Sequence, residues 1–209
     1  MSNHLSGPNF MVLQTFNLLV TGIEKTSERE HWFLPVDEAW QKRIAGMLGK
    51  EVPKRNLYPN RTVPELMKNQ KPLGLRNTKP DGACLPRAIS LAIYGHEDNH
   101  QMLRDAVVSR MVESPLPGDS QPRDEKFLQL MEKMRERKEW MGTEEIEAFS
   151  YILQTPIFSC VQHSSNNGRG QPRYFWQRMP HQTTREDVGN DRAIYIYFAH
   201  NHFQLVTNP

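Results

Sequence analysis

The stretch Ala193-Ile-Tyr-Ile-Tyr-Phe-Ala-His-Asn-His-Phe-Gln-Leu-Val206 carries the clearest structural signal in the chain. Ala193–Ala199 is a continuous apolar and aromatic run, which predicts a central strand. Phe203, Leu205 and Thr207 alternate with Gln204 and Val206, which predicts a final strand beside it. Working outward, Ile157-Phe-Ser-Cys-Val161 and Tyr174-Phe-Trp176 read as two shorter strands, with a turn over Ser164–Gly170. Before Pro156 the period changes. Leu85, Ala88, Ile89, Ala92 and Ile93 give helical spacing over Cys84–Tyr94, and Leu103, Ala106, Val107 and Met111 give a second helix within about 98–113. Phe127, Leu130, Met131 and Met134 mark a third. A fourth starts at Gly142-Thr-Glu-Glu145 and carries the stripe Ile146, Phe149, Ile152 and Leu153. Helices first and strands after them argue an α+β domain, its helices packed on a small mixed or antiparallel sheet.

The first third reads differently. Residues 9–20 mix apolar and polar positions without a clean period. Pro35–Gly49 predicts a short helix, opened by proline, acidic in its first turn and stopped by glycine. Prolines at 53, 59, 64, 72, 80 and 86 forbid a long helix between 53 and 85 and leave room for one short helix at Val63–Gln70. The expected division is therefore an N-terminal extension over 1–70, of unassigned role, and a main domain over 71–209.

Among 209 residues, Lys plus Arg is 26 and Asp plus Glu is 24, a net charge of +2. Such a balance is a poor basis for phosphate-driven nucleic-acid binding. Two cysteines, Cys84 and Cys160, exclude a disulfide framework and a cysteine-rich zinc site. No charged leader and no apolar run of membrane-spanning length stand out, so the expectation is a soluble monomer of a reducing, cytoplasmic compartment.

Asp81-Gly82-Ala83-Cys84 places a cysteine where a glycine-containing turn enters a helix. Unpaired amides at a helix N-terminus favour thiolate over thiol and are suited to receive an oxyanion. A nucleophile there is one reading and a buried structural cysteine is the other. Pro86 falls in the first helical turn, where its missing N–H costs little. A nucleophilic cysteine needs a base. Of eight histidines, His200 and His202 stand between two β segments, either as a rigidly held base or as turn residues with solvated rings. Cys160 reads as core.

Asp81-Gly82-Ala83-Cys84-Leu85 with Arg87-Ala88-Ile89-Ser90 resembles the nucleophile motif of the ovarian-tumour (OTU) family of cysteine proteases. Leu103-Arg104 with Val107-Val108 resembles the helix that follows it. Trp140-Met-Gly142, Glu145, Ala148, Ser150, Ile152-Leu153 and Pro156-Ile157 resemble that family's middle block, and His202-Phe203-Gln204-Leu205-Val206 its histidine motif. The four blocks come in order across roughly residues 75–209. The resemblance implies a papain-like OTU fold and a deubiquitinase that needs no metal or cofactor. Its partners would be ubiquitin, polyubiquitin or ubiquitin-like proteins. Cys84 would attack the carbonyl of a C-terminal glycine and His202 would act as base. Asp81 would shape the loop whose amides, with that of Cys84, hold the oxyanion. Two departures stand out. Gln204 occupies the position where many members carry the Asp or Asn that orients the histidine, so Asp81, Gln204 and Asn201 compete as third member, in the order Asp81, then Gln204. Pro86 replaces a common aromatic. Tyr174 and Trp176 either line a substrate channel or pack as sheet-face aromatics. The alternative function is a catalytically weak OTU-like module that binds ubiquitin.

Overall fold

The computed structural model describes residues 32–50, 57–58, 66, 69–114, 116, 122–136, 138–163, 172–179 and 192–209. The features expected at residues 9–20, at most of Val63–Gln70 and at Ser164–Gly170 lie outside the described residues.

The described helices are α1 (Glu38–Met47), α2 (Cys84–Tyr94), α3 (His100–Glu113), α4 (Glu125–Met134) and α5 (Thr143–Leu153). Local chemistry sets their ends. The Asp37 carboxylate accepts the Trp40 amide at 2.8 Å and that of Asp124 accepts the Phe127 amide at 2.9 Å, satisfying donors that a first turn leaves unpaired. Gly95 closes α2 with a φ of 77°, a left-handed conformation that glycine adopts without strain. The strands are β1 (Gly74–Arg76), β2 (Ile157–His163), β3 (Arg173–Met179), β4 (Ile194–Ala199) and β5 (His202–Asn208).

Helices and strands form an α+β fold around one five-stranded mixed sheet, in the order β1-β5-β4-β2-β3. Only β2 and β4 run parallel; the other neighbours are antiparallel. The hairpin between β4 and β5 is the tightest joint. Ala199 pairs with His202, and the two residues between them, His200 and Asn201, have φ of 52° and 57°. Positive φ at both central positions is the turn pattern whose twist matches a hairpin. It locks the register, putting His202 and Gln204 on one face and Phe203 and Leu205 on the other.

All of α2 is buried. The opposite face of β5 is anchored by aromatics. Trp140 stacks on Phe203 at 5.7 Å, and Phe198 lies 4.7 Å from Phe203. Residues before 70 also reach this core. The stretch 31–209 forms one compact unit, and Val36, Ile44 and Ala45 are fully buried in it. Trp40 donates its indole N–H to Thr155 Oγ1 at 2.7 Å, and Gln41 donates its amide to the Ala92 carbonyl at 2.8 Å. Pro35 bridges Ala193 beside β4, and Tyr195 Oη accepts the Leu34 amide at 3.0 Å. A division at residue 70 thus separates side chains that share one core.

Candidate active site

Asp81-Gly82-Ala83-Cys84 is a tight turn into α2 and is held from several sides. The Cys84 amide donates to the Asp81 carbonyl at 3.1 Å, and the Ala83 amide donates to Asp81 Oδ1 at 3.0 Å. Arg87, on α2, grips the same carboxylate with two parallel bonds, Nε to Oδ1 at 3.0 Å and Nη2 to Oδ2 at 2.9 Å. Its other arm reaches Glu97 at 3.2 Å. Forked pairs of this kind fix geometry as well as charge. Arg104, fully buried on α3, donates to the Gly82, Met134 and Glu139 carbonyls, each at 2.7 Å. A Cβ on Gly82 would collide with the Lys138 carbonyl, so glycine is required for close approach here. The Asp81 carboxylate accepts from Arg87 and from the Ala83 amide, which braces the turn that leads to Cys84.

Cys84 Sγ lies against main-chain amides of Leu85, of Cys84 itself and of Phe203, the residue after His202. This contact joins the nucleophile loop to the histidine strand. The amides favour the thiolate, as expected at a helix N-terminus. Burial outweighs them: Cys84 is 1% exposed, and its thiol pKa is raised rather than lowered. The expected lowering is corrected here because it counted the helix end without the cost of desolvating a thiolate. Cys84 thus rests as a thiol and needs a base to react at neutral pH.

His202 opens β5, half-buried. Burial pushes its pKa down, against the Thr78 main chain and the charges of Glu97 and Asp81, which push it up. The neutral imidazole that results is able to accept a proton. Its Nε2 lies 2.9 Å from Asn77 Oδ1. Gln204 does not take up the direct place beside the ring that its sequence position suggested. Its side-chain amide donates instead to the same Asn77 Oδ1 at 2.7 Å. Asn201 is exposed in the hairpin turn, as is His200.

Asn77 was not singled out from sequence. It follows β1, whose Leu75 and Arg76 pair with Val206 and Leu205. Continuing that register one step sets Asn77 opposite Gln204 and diagonal to His202. The signal exists only once β1 is known to pair with β5.

Tyr174 and Trp176 lie on β3, at the far edge of the sheet. They share a face with His202 by register, yet three strand spacings, about 14 Å, separate β3 from β5. Trp176 packs edge-on to Tyr195 at 6.0 Å and Tyr174 lies 6.4 Å from Tyr197. The sheet-face alternative describes their packing, and neither flanks the histidine. Cys160 is fully buried mid-strand, its thiol pushed up to about 12 by burial. Among the described residues no group of three or more His, Cys, Asp or Glu is arranged to hold a metal, and no helix is long and apolar enough to cross a membrane.

The chain matches the family model of the OTU-like cysteine proteases over residues 79–203, more than half its length and from just before the nucleophile loop into β5. No curated protein matches it. Solved structures with similarity include the OTU domain of OTUD1, at 18% identity over 63% of this chain and 83% of that one, with a TM-score of 0.48. The viral OTU domain protease from Farallon virus is similar at 15% identity over 65% and 83%, TM-score 0.47. An OTU deubiquitinase from Wolbachia pipientis wMel, solved bound to ubiquitin, is similar at 14% identity over 64% and 94%, TM-score 0.47. With the family's match running through both Cys84 and His202, this chain belongs to the OTU-like cysteine proteases.

Proposed function

We propose that the chain is a thiol-dependent deubiquitinase, hydrolysing peptide or isopeptide bonds at the C-terminal glycine of ubiquitin or a ubiquitin-like modifier. Family membership supports protease chemistry, and one observation carries the assignment of the pair: Cys84 Sγ lies against the Phe203 amide, one residue from His202. In this reading His202 takes the Cys84 proton as sulfur bonds to the glycine carbonyl carbon. The tetrahedral oxyanion competes with the Asp81 carbonyl for the Cys84 amide at the helix start. Collapse breaks the C–N bond, and His202 returns the proton to the departing amine. Water, deprotonated by His202, then cleaves the thioester and regenerates the thiol. Asp81 holds the loop, Gln204 acts on His202 through Asn77, and Tyr174 and Trp176 contact modifier residues well upstream of the scissile bond. The catalytic domain is proposed to fold with residues 31–70 rather than apart from them.

A second reading, a module that binds ubiquitin with weak catalysis, draws on two features: the raised Cys84 thiol, and an amide instead of a carboxylate behind His202. A ubiquitin probe bearing a C-terminal cysteine-reactive group separates the two. The enzyme reading expects a covalent adduct that Cys84→Ala abolishes. Binding to ubiquitin without an adduct or any cleavage supports the second reading and sinks the first.

A further inference from the structure

We propose that Asn77 is the positioning residue of His202: its side-chain carbonyl takes the Nε2 proton, which leaves Nδ1 to receive the proton of Cys84, and Gln204 locks the Asn77 amide in that orientation. The inference rests on the reading of Cys84 and His202 as nucleophile and base, and deepens it.

Three observations converge on Asn77. Its Oδ1 stands 2.9 Å from His202 Nε2, hydrogen-bond distance. Gln204 donates to the same oxygen at 2.7 Å. A carbonyl oxygen has two lone pairs, and these two donors occupy both. Turning the Asn77 amide over would present its NH2 to the Gln204 NH2, donor against donor. The two amides are therefore coupled: with Gln204 donating, Asn77 presents its oxygen to the ring. An acceptor at Nε2 keeps the neutral proton there, so Nδ1 carries the free lone pair.

The segment is also held in place. β1 pairs with β5 through Arg76 and Leu205, and the Thr78 hydroxyl donates to the Phe203 carbonyl at 2.7 Å. Asn77 is thus fixed on both sides to the strand that carries His202. The groups facing the ring are Asn77, the Thr78 main chain and hydroxyl, and the charges of Asp81 and Glu97. Asn77 is neutral and lies 2.9 Å from Nε2, against 3.5 Å for the Thr78 hydroxyl. It sets direction without adding charge, so replacing it by a carboxylate adds the charge and keeps the direction.

The test uses the full chain with 15N-labelled histidine. Wild type is expected to show the Nε2–H tautomer of His202. Asn77→Leu is expected to give a mixture of tautomers and to slow Cys84 alkylation by chloroacetamide at pH 7 by about tenfold, less than the roughly 100-fold or more lost with a general base itself, because the base stays in place and the contact is open to water. Asn77→Asp is expected to recover most of that rate and to raise the His202 pKa, a shift that a merely structural side chain would not produce. Gln204→Leu leaves Asn77 itself in place and should weaken the tautomer preference partway; it serves if Asn77→Leu does not fold. An unchanged tautomer and an unchanged alkylation rate in folded Asn77→Leu, or in Gln204→Leu where that protein is unfolded, would overturn the inference. If the tautomer and rate respond as expected while wild type neither cleaves nor is labelled by ubiquitin substrates, the positioning role stands and the deubiquitinase reading falls.

Discussion

A chain cut to residues 71–209 should lose cooperative folding, because α1 and its lead-in supply part of the core on which the OTU motifs pack. Val36 and Ile44 are fully buried and Trp40 is nearly so. Each such side chain contributes roughly 1.5–3 kcal/mol by leaving water, so the three together contribute about 6 kcal/mol. Truncation also strips Tyr195 Oη of the Leu34 amide and removes the Gln41 bond to Ala92, at about 1 kcal/mol each. The total of about 8 kcal/mol falls within the roughly 5–15 kcal/mol that holds a typical domain folded. Urea denaturation followed by far-ultraviolet circular dichroism provides the assay, comparing 31–209 with 71–209. The longer chain should show one sigmoidal transition and the shorter one a shallow, baseline-free slope. A cooperative transition in 71–209 within about 1 kcal/mol of the longer chain would refute the reasoning, since burial of that size cannot be lost silently.

Three further outcomes follow from the same geometry. Gly82→Ala should slow Cys84 alkylation at least about tenfold while α-helical content is kept, because the new methyl meets the Lys138 backbone and must displace the nucleophile loop; an unchanged rate would show that the loop is not held there. Arg104→Met should cost about 3–5 kcal/mol in urea unfolding, since it leaves the Gly82, Met134 and Glu139 carbonyls without their buried donor; a loss under about 1 kcal/mol would remove the guanidinium as the strut of this loop. Glu145, whose carboxylate accepts the Gly142 amide at 2.6 Å, is pushed up to about 7 by burial from an ordinary 4.5. Its folded pKa lies above the unfolded one, so its contribution is intact below the unfolded pKa and is lost as pH rises toward 7. Wild type should therefore lose about 2.5 kcal/mol between pH 5 and pH 8 relative to Glu145→Gln, which keeps an acceptor for Gly142; a wild-type-minus-variant difference that does not change with pH would contradict this.

The parts of the fold that were legible in the sequence are those that local physics decides. α2 could be read because its apolar spacing runs unbroken into Gly95, and β4 because seven apolar or aromatic residues, Ala193–Ala199, admit little else. The hairpin between β4 and β5 was visible as a polar break that holds the histidines, while the choice of His202 over His200 needed the resemblance; the turn geometry explains it, since His200 is used to make the bend. β1 was not legible. Three residues, Gly-Leu-Arg, show no period, and only pairing with β5 makes them a strand. Asn77 was lost with it. Tyr174 and Trp176 precede His202 in sequence, but the strand order inserts β2 and β4 between them and β5, and no single-strand pattern encodes that order. Arg104 sits fully buried, where composition alone would place it outside; its three carbonyl partners come from the nucleophile turn, the end of α4 and the segment before α5, which the sequence does not bring together. Cys84 shows the same limit in its electrostatics, because the helix end is a local feature and the burial that outweighs it is a tertiary one.

The proposed function requires Cys84 and His202 to work as nucleophile and base toward a ubiquitin C-terminus. Intact-mass and peptide mapping of the full chain after incubation with a ubiquitin C-terminal electrophile tests it most directly. A single adduct is expected on Cys84, absent in Cys84→Ala, slowed in His202→Ala by about 100-fold or more, and formed at the wild-type rate in His200→Ala. An adduct on Cys160, equal labelling of wild type and His202→Ala, or no adduct and no cleavage of any ubiquitin or ubiquitin-like substrate would contradict it.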